Sequence, residues 1–224
     1  EQIWAMMQMA VAPRKMRRMD GLYFSKMLGT GGGFGYGFMP DFRTYALLTV
    51  WGDPEKASNF ESGSEIMADF RKHCHEVYSI FLRPIQSRGK WSGFNPFIPS
   101  AQASDKGMLC VITRATLKFR YYIPFWKRVN RVSKSHEGFP GLLFTKGIGE
   151  RPWIMQATFS VWKSVSDMQS FAYEKSGRHF EAISTTKRMK GFKEELYARF
   201  QPLESRGTWR GKDPLGLSGN PIIR

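Results

Sequence analysis

Ser87-Arg88-Gly89-Lys90-Trp91-Ser92-Gly93-Phe94-Asn95-Pro96 returns near the end of the chain as Ser205-Arg206-Gly207-Thr208-Trp209-Arg210-Gly211-Lys212-Asp213-Pro214. Six of the ten positions are identical, with no gap. Two further segments recur in the same order. Gly21-Leu22-Tyr23-Phe24-Ser25-Lys26-Met27-Leu28-Gly29 mirrors Gly141-Leu142-Leu143-Phe144-Thr145-Lys146-Gly147-Ile148-Gly149. Thr49-Val50-Trp51 followed by Phe60 mirrors Ser160-Val161-Trp162 followed by Phe171. Three ordered matches imply a duplicated unit of roughly 100 residues, the size of a small domain and not of a solenoid repeat. The units divide as 1–100 and 101–224, expected to form one compact two-repeat domain.

Periodicity gives each unit its elements. Residues 2–12 combine good helix formers with no glycine, and Pro13 is expected to end them. Strands are expected over 21–28 and 44–51, with a glycine-rich loop over 30–40. Helical pattern covers Pro54 to Phe60 and resumes from Ser64 to about Phe81, and residues 85–91 close the unit. In the second unit, 109–119 read as a strand, 121–135 as a helix with Pro124 in its first turn, and 141–148 and 153–162 as strands. Residues 165–174 and 177–190 read as helical, and 196–204 as the last strand. The order is β-α-β-β-α-β, the ferredoxin-like unit of an α+β protein. The first unit lacks its opening strand, which is expected to precede Glu1. A sheet with helices on one side must bury its other face. Two such units facing each other give a pseudo-symmetric α/β barrel with the helices outside.

Composition narrows the function classes. The 224 residues are 42% hydrophobic and 15% aromatic, enough for a real core. No apolar run reaches the ~18 residues of a membrane span, and no signal peptide is visible. Two cysteines, Cys74 and Cys110, fit a reducing compartment and no disulfide scaffold. A cytoplasmic location is expected, with peripheral contact at the inner membrane face. The net charge of +15 suggests an anionic partner. No nucleic-acid-binding signature accompanies it, so no nucleic acid partner is expected. The dense run Arg14-Lys15-Arg17-Arg18 follows an apolar stretch holding Trp4, Met6, Met7 and Met9. That pairing suits an acidic bilayer surface; the alternative, which the helix's place in the repeat suggests, is that its apolar side packs on the sheet.

Chemistry-bearing motifs are sparse. The Gly29–Gly37 loop matches neither G-x-G-x-x-G nor a phosphate loop. His73-Cys74-His75 has the wrong spacing for one helix face and lacks further metal ligands. His136 suits a helix end, where a cation meets the dipole. His179 lies among Phe171, Phe180 and Ile183. An imidazole opening into an apolar pocket is a usual haem iron ligand, and a hydrogen-bonded histidine is the ordinary alternative. Arg114, Lys146 and Gln156 interrupt otherwise apolar strands. They either line the interior or a pocket, or hydrogen-bond across the sheets.

The run Pro140-Gly141-Leu142-Leu143-Phe144-Thr145-Lys146-Gly147-Ile148-Gly149-Glu150-Arg151-Pro152-Trp153 resembles a segment of the spheroidene monooxygenases, acyclic carotenoid ketolases of photosynthetic bacteria. So do Gln156-Ala157-Thr158-Phe159-Ser160-Val161-Trp162, Phe171-Ala172-Tyr173 with His179, and Gly207-Thr208-Trp209. The resemblance implies an O2-dependent monooxygenase that places a carbonyl on a hydrophobic polyene, using haem and an external electron donor. More distantly, Trp162 to His179 looks like the haem-degrading members of the dimeric α/β-barrel class, where a histidine of this helix ligates iron. Carried over, His179 becomes the iron ligand, with Phe171, Arg178, Ile183 and Trp162 around the cofactor. Arg114, Lys146 and Gln156 become distal or propionate contacts. The first unit has Ala68 at the matching place, so only the second would hold haem. The alternatives are a haem-free oxygenase, a haem enzyme acting as dehydratase or peroxidase, and a non-enzymatic haem- or lipid-binding module. Neither the exact substrate nor the oligomeric state follows.

Overall fold

The computed structural model describes residues 2–32, 39–121, 123, 139–151, 154–173 and 191–219. The elements run α1 (Gln2–Met16), β1 (Leu22–Gly31), β2 (Pro40–Trp51), α2 (Pro54–Gly63), α3 (Glu65–His73), β3 (Tyr78–Gly89), β4 (Leu109–Leu117), a 3-10 turn at Phe119–Tyr121, β5 (Leu142–Arg151), β6 (Met155–Trp162), α4 (Val165–Tyr173) and β7 (Phe192–Gly207). Local chemistry sets several boundaries. Asp53 caps α2 by accepting from the Glu55 amide, with Pro54 next. Ser64 caps α3 through the Met67 amide. Both are side-chain oxygens meeting amides that the first helical turn leaves unpaired.

Among the described residues the seven strands form one antiparallel sheet in the order β2-β1-β5-β6-β4-β7-β3. Within the second repeat the order β5-β6-β4-β7 is the ferredoxin-like arrangement. Its opening strand, β4, lies between β6 and β7. The matching place in the first repeat lies between β2 and β3, the two edges of the sheet. The sheet is therefore a curled half-barrel. Residues of all seven strands, edges included, meet in one inner core that contains Phe24, Leu48, Ile80, Ile112, Ile148, Val161 and Phe200.

The duplication is visible at atomic detail. Gly29 pairs with its own repeat partner Gly149 across β1 and β5, and Arg83 pairs with its repeat partner Gln201 across β3 and β7. A pseudo-twofold axis passes through both pairs. Gly89 and Gly207 both adopt positive φ, +103° and +79°. A Cβ on Gly89 would lie 2.2 Å from the Glu195 carbonyl oxygen, and one on Gly207 would lie 2.0 Å from that of Val77. Each glycine ends a strand where the other repeat's backbone leaves no room. The following turns are tied crosswise. Glu194 accepts from the Ser92 and Gly93 amides at 3.1 and 2.8 Å. Its repeat partner Glu76 accepts from the Arg210 and Gly211 amides, both at 2.7 Å.

The helices cover the outer face. Ala12 and Met16 of α1 join Phe60, Ile66, Met67 and Phe70 over Met27 of β1. On the second repeat, Met168 of α4 covers Leu109, Val111 and Trp162.

Four local expectations are corrected. Pro13 does not end α1, which continues to Met16. Ala12 and Met16 are both fully buried, so tertiary packing outweighs the lost hydrogen bond. Trp4 and Met9, expected to face a membrane, turn inward; Trp4 stacks on His73 at 4.1 Å. The helix expected to reach about Phe81 stops at His73, because Tyr78, Ile80 and Leu82 join the inner core and pair with β7. The hairpin strands β1 and β2 reach into the glycine-rich segment, to Gly31 and back to Pro40. The helices expected over 121–135 and 177–190, and His136, fall almost wholly outside the described residues.

Candidate functional site

Alternation along β4 turns Cys110, Ile112 and Arg114 to the inner face, opposite Leu109 and Val111. Arg114 is 3% exposed. Its guanidinium pairs with Glu194 and, at 3.3 Å, with Glu150. It also lies 5.4 Å from the centre of the Trp91 ring. Glu150 further accepts from Lys26 Nζ and Trp91 Nε1, each at 2.7 Å. Two cations and two carboxylates thus neutralise each other at one end of the inner face. Burial pushes the Glu194 carboxyl up, but the Gly93 amide, Arg114 and the Ser92 amide outweigh it and hold it below the usual range. Arg114 Nε and Thr116 Oγ1, on the same inner row, are buried without a hydrogen-bond partner among the described residues.

Lys146 occupies a related position on β5. It pairs with Asp41 at 3.2 Å and sits 5.9 Å from the Trp209 ring centre. Phe144 meets Trp209 edge-on at 5.3 Å, as Phe24 meets Trp91 at 5.6 Å. These are repeat partners in the same geometry.

The other site candidates lie across the sheet. Gln156 pairs in register with Ala115 and Gly149, and its Nε2 donates to the Arg151 carbonyl at 3.3 Å. Trp162, six residues on and so on the same face, packs against Phe171 at 5.1 Å with a 40° tilt. The repeat partners Trp51 and Phe60 sit at 5.2 Å and 41°. Phe139 caps Trp162 and Phe171, giving an apolar wall beneath α4. In the first repeat the equivalent wall borders an open cleft of about 590 Å³, with Trp51 and Phe60 in its lining and the Asp20–Lys56 ion pair beside them.

The sheet thus separates the candidate residues. Arg114 and Lys146 lie inside; Gln156, Trp162 and Phe171 lie on the helix face. Strand alternation turns Arg114 and Lys146 to the face opposite Trp162, and carboxylates already meet their charges. His179, Arg178 and Ile183 lie outside the described residues. Glu150, Glu194, Lys26 and Trp91 were missed as partners of Arg114. Their signal was available, since counting by twos from Lys146 reaches Glu150 and counting from Leu196 reaches Glu194.

A haem needs an iron ligand and an apolar slot. Among the described residues no three His, Cys, Asp or Glu side chains converge as metal ligands. His73 lies on the first repeat, stacked on Trp4, with Nδ1 bonded to the Asp69 carbonyl. The Trp162–Phe171–Phe139 wall is apolar. The described residues supply apolar rings, and the iron ligand that the resemblance implies, His179, lies outside them.

No family model matches the chain. Over 216 residues it is 38% identical to spheroidene monooxygenase of Cereibacter sphaeroides, spanning 96% of this chain and 67% of that protein. With the Rhodobacter capsulatus protein of the same name, identity is 34% over 95% of this chain and 88% of that one. The chain belongs to the spheroidene monooxygenase family. It is accordingly an enzyme, an oxidoreductase of the monooxygenase type. Among solved structures it is similar to a haem-degrading enzyme of Listeria monocytogenes, at 14% identity, 84% and 92% coverage of the two chains and a TM-score of 0.32. A ferredoxin-fold protein of the same species related to antibiotic biosynthesis monooxygenases matches at 14% identity, 84% and 86% coverage and a TM-score of 0.32. Likenesses this slight say nothing about the chemistry of this chain.

Proposed function

We propose that this spheroidene monooxygenase family member oxidises a methylene group of an acyclic carotenoid polyene to a ketone. What supports this is one observation: identity of 34% sustained over 95% of the chain and 88% of a spheroidene monooxygenase. Each round of hydroxylation inserts one oxygen atom of O2 into a C–H bond. The second oxygen atom leaves as water, using two electrons and two protons from an external donor. A second round at the same carbon gives a geminal diol, which loses water to form the ketone. The helix face of the second repeat suits such a substrate. Trp162 and Met168 are buried, and with Phe171 and Phe139 they form a dry apolar wall. Such a wall excludes water and orients a hydrocarbon by shape. Gln156 lies on the same face as a hydrogen-bonding group.

The proposal extends to haem held through His179, with Arg178 and Ile183 beside it. That extension rests on resemblance alone, and no step above is routed through the cofactor. Haem when bound supplies oxygen activation; the protein supplies ligand, orientation and dryness. Incubation with spheroidene, O2 and a chemical reductant should give a product two hydrogens lighter and one oxygen heavier. Unchanged polyene under oxygen would overturn the reaction. His179→Ala should keep the fold and lose the Soret band of the purified protein; an unshifted band of full intensity would remove His179 as ligand.

A further inference from the structure

Helix α1 is apolar on two sides, and the sheet uses only one. Trp4, Met9, Ala12 and Met16 face α3 and the sheet. Ile3, Met6 and Met7 face away, at 72%, 55% and 57% exposure. With exposed Ala10 and Arg14 they follow the i, i+3, i+4, i+7, i+11 spacing of one helix face. Arg14 sits one turn beyond Ala10, and Arg17 and Arg18 are exposed in the turn that follows α1. Lys15 is held by Asp69 at 3.6 Å and is half exposed.

A helix apolar all round is normally buried on every side or placed against lipid. Here the outer half of the first turns is unburied, and cations stand at its far end. From Ile3 to Arg14 the face runs about 16 Å at the helical rise of 1.5 Å per residue, with Arg17 and Arg18 just beyond its end. Those dimensions suit a helix lying in the plane of a bilayer surface, with large side chains below the headgroups and arginines among them. An acidic polar surface would meet the arginines but would leave Ile3, Met6 and Met7 in water.

We propose that the outward face of α1 docks the enzyme on an anionic bilayer. This deepens the functional reading by naming the phase from which a water-insoluble polyene is taken. The docking itself is read from the helix and does not depend on the reaction.

The full chain should co-sediment with vesicles of phosphatidylcholine containing phosphatidylglycerol and should be released by salt. It should bind phosphatidylcholine alone far less, because each basic residue near an anionic surface strengthens binding several-fold. Charge loss in Arg14→Gln/Arg17→Gln/Arg18→Gln should weaken anionic-vesicle binding on the order of a hundredfold. The outward Ile3→Ser/Met6→Ser/Met7→Ser variant, with an unchanged circular dichroism spectrum, should weaken it as well. Equal binding to both vesicle types, no binding to either at low salt, or full binding by the serine variant would each overturn the proposal. Turnover separates docking from catalysis. The serine variant should match the parent on detergent-dispersed spheroidene and lose turnover of vesicle-embedded spheroidene. Parent-like turnover from vesicles would also overturn the docking role, whereas inactivity of the parent in detergent would count against the reaction alone.

Discussion

Replacing Arg114 with methionine removes one charge from a closed set of four. The Glu150 and Glu194 side chains are 18% and 21% exposed, so each would become a mostly buried carboxylate short of a cation. Breaking a buried pair by removing one partner costs about 3–5 kcal/mol. The cost here is smaller, because Glu150 retains Lys26 and the Trp91 indole, and Glu194 retains two backbone amides. A loss of about 2–3 kcal/mol is expected once those partners are counted. At 2–4 °C per kcal/mol for a chain this size, the melting temperature should fall by about 4–12 °C. Urea titration should give a lower midpoint with an unchanged slope. The decisive comparison adds Glu150→Gln and Glu194→Gln, which leave no carboxylate unpaired. In that background Arg114→Met should cost under about 1 kcal/mol, since the coupling between neighbours is then gone. An equal loss in both backgrounds would refute the ion-pair account and assign the effect to packing against Trp91.

Gly89→Ala should destabilise strongly, by about 2–4 kcal/mol, because backbone stands 2.2 Å from the new Cβ at a positive φ. Gly93→Ala, also at positive φ but with no atom within 4 Å, should cost only about 1–2 kcal/mol. Equal thermal melts for the two variants would contradict the close approach of Glu195. Asp213 accepts from the Tyr78, Ser205 and Ser218 hydroxyls at 2.5, 2.9 and 2.7 Å. Burial pushes its carboxyl up, but the Tyr78 and Ser218 hydrogen bonds outweigh that and hold it well below the carboxylate range. Its stabilisation is therefore full above the unfolded-state value near 4 and is lost as pH falls below it. Urea midpoints for wild type should drop more steeply than those for Asp213→Asn between about pH 4 and pH 2; parallel curves would remove Asp213 as the source.

The repeat was legible because geometry forces its residues. Gly89 and Gly207 must be glycine where the other repeat's backbone approaches within a Cβ radius, and Glu76 and Glu194 must accept from the turn amides across the axis. Such constraints leave the same letters twice. The candidate site was legible only in residue types. Arg114, Lys146 and Gln156 stand out in apolar strands because burying charge and amide groups demands partners. The carboxylates that meet Arg114 and Lys146 come from strands far along the chain, and pattern alone gave no pairing.

The amino-acid order alone thus set the duplication, the β-α-β-β-α-β plan and the family, since strand and helix periods and turn residues are local properties. The side of the sheet on which each candidate residue faces, the neutralisation of Arg114 by Glu150 and Glu194, the early end of α3 and the passage of α1 through Pro13 were settled only in three dimensions. In each case burial against distant residues outweighs local preference, and no local pattern carries the identity of those distant neighbours.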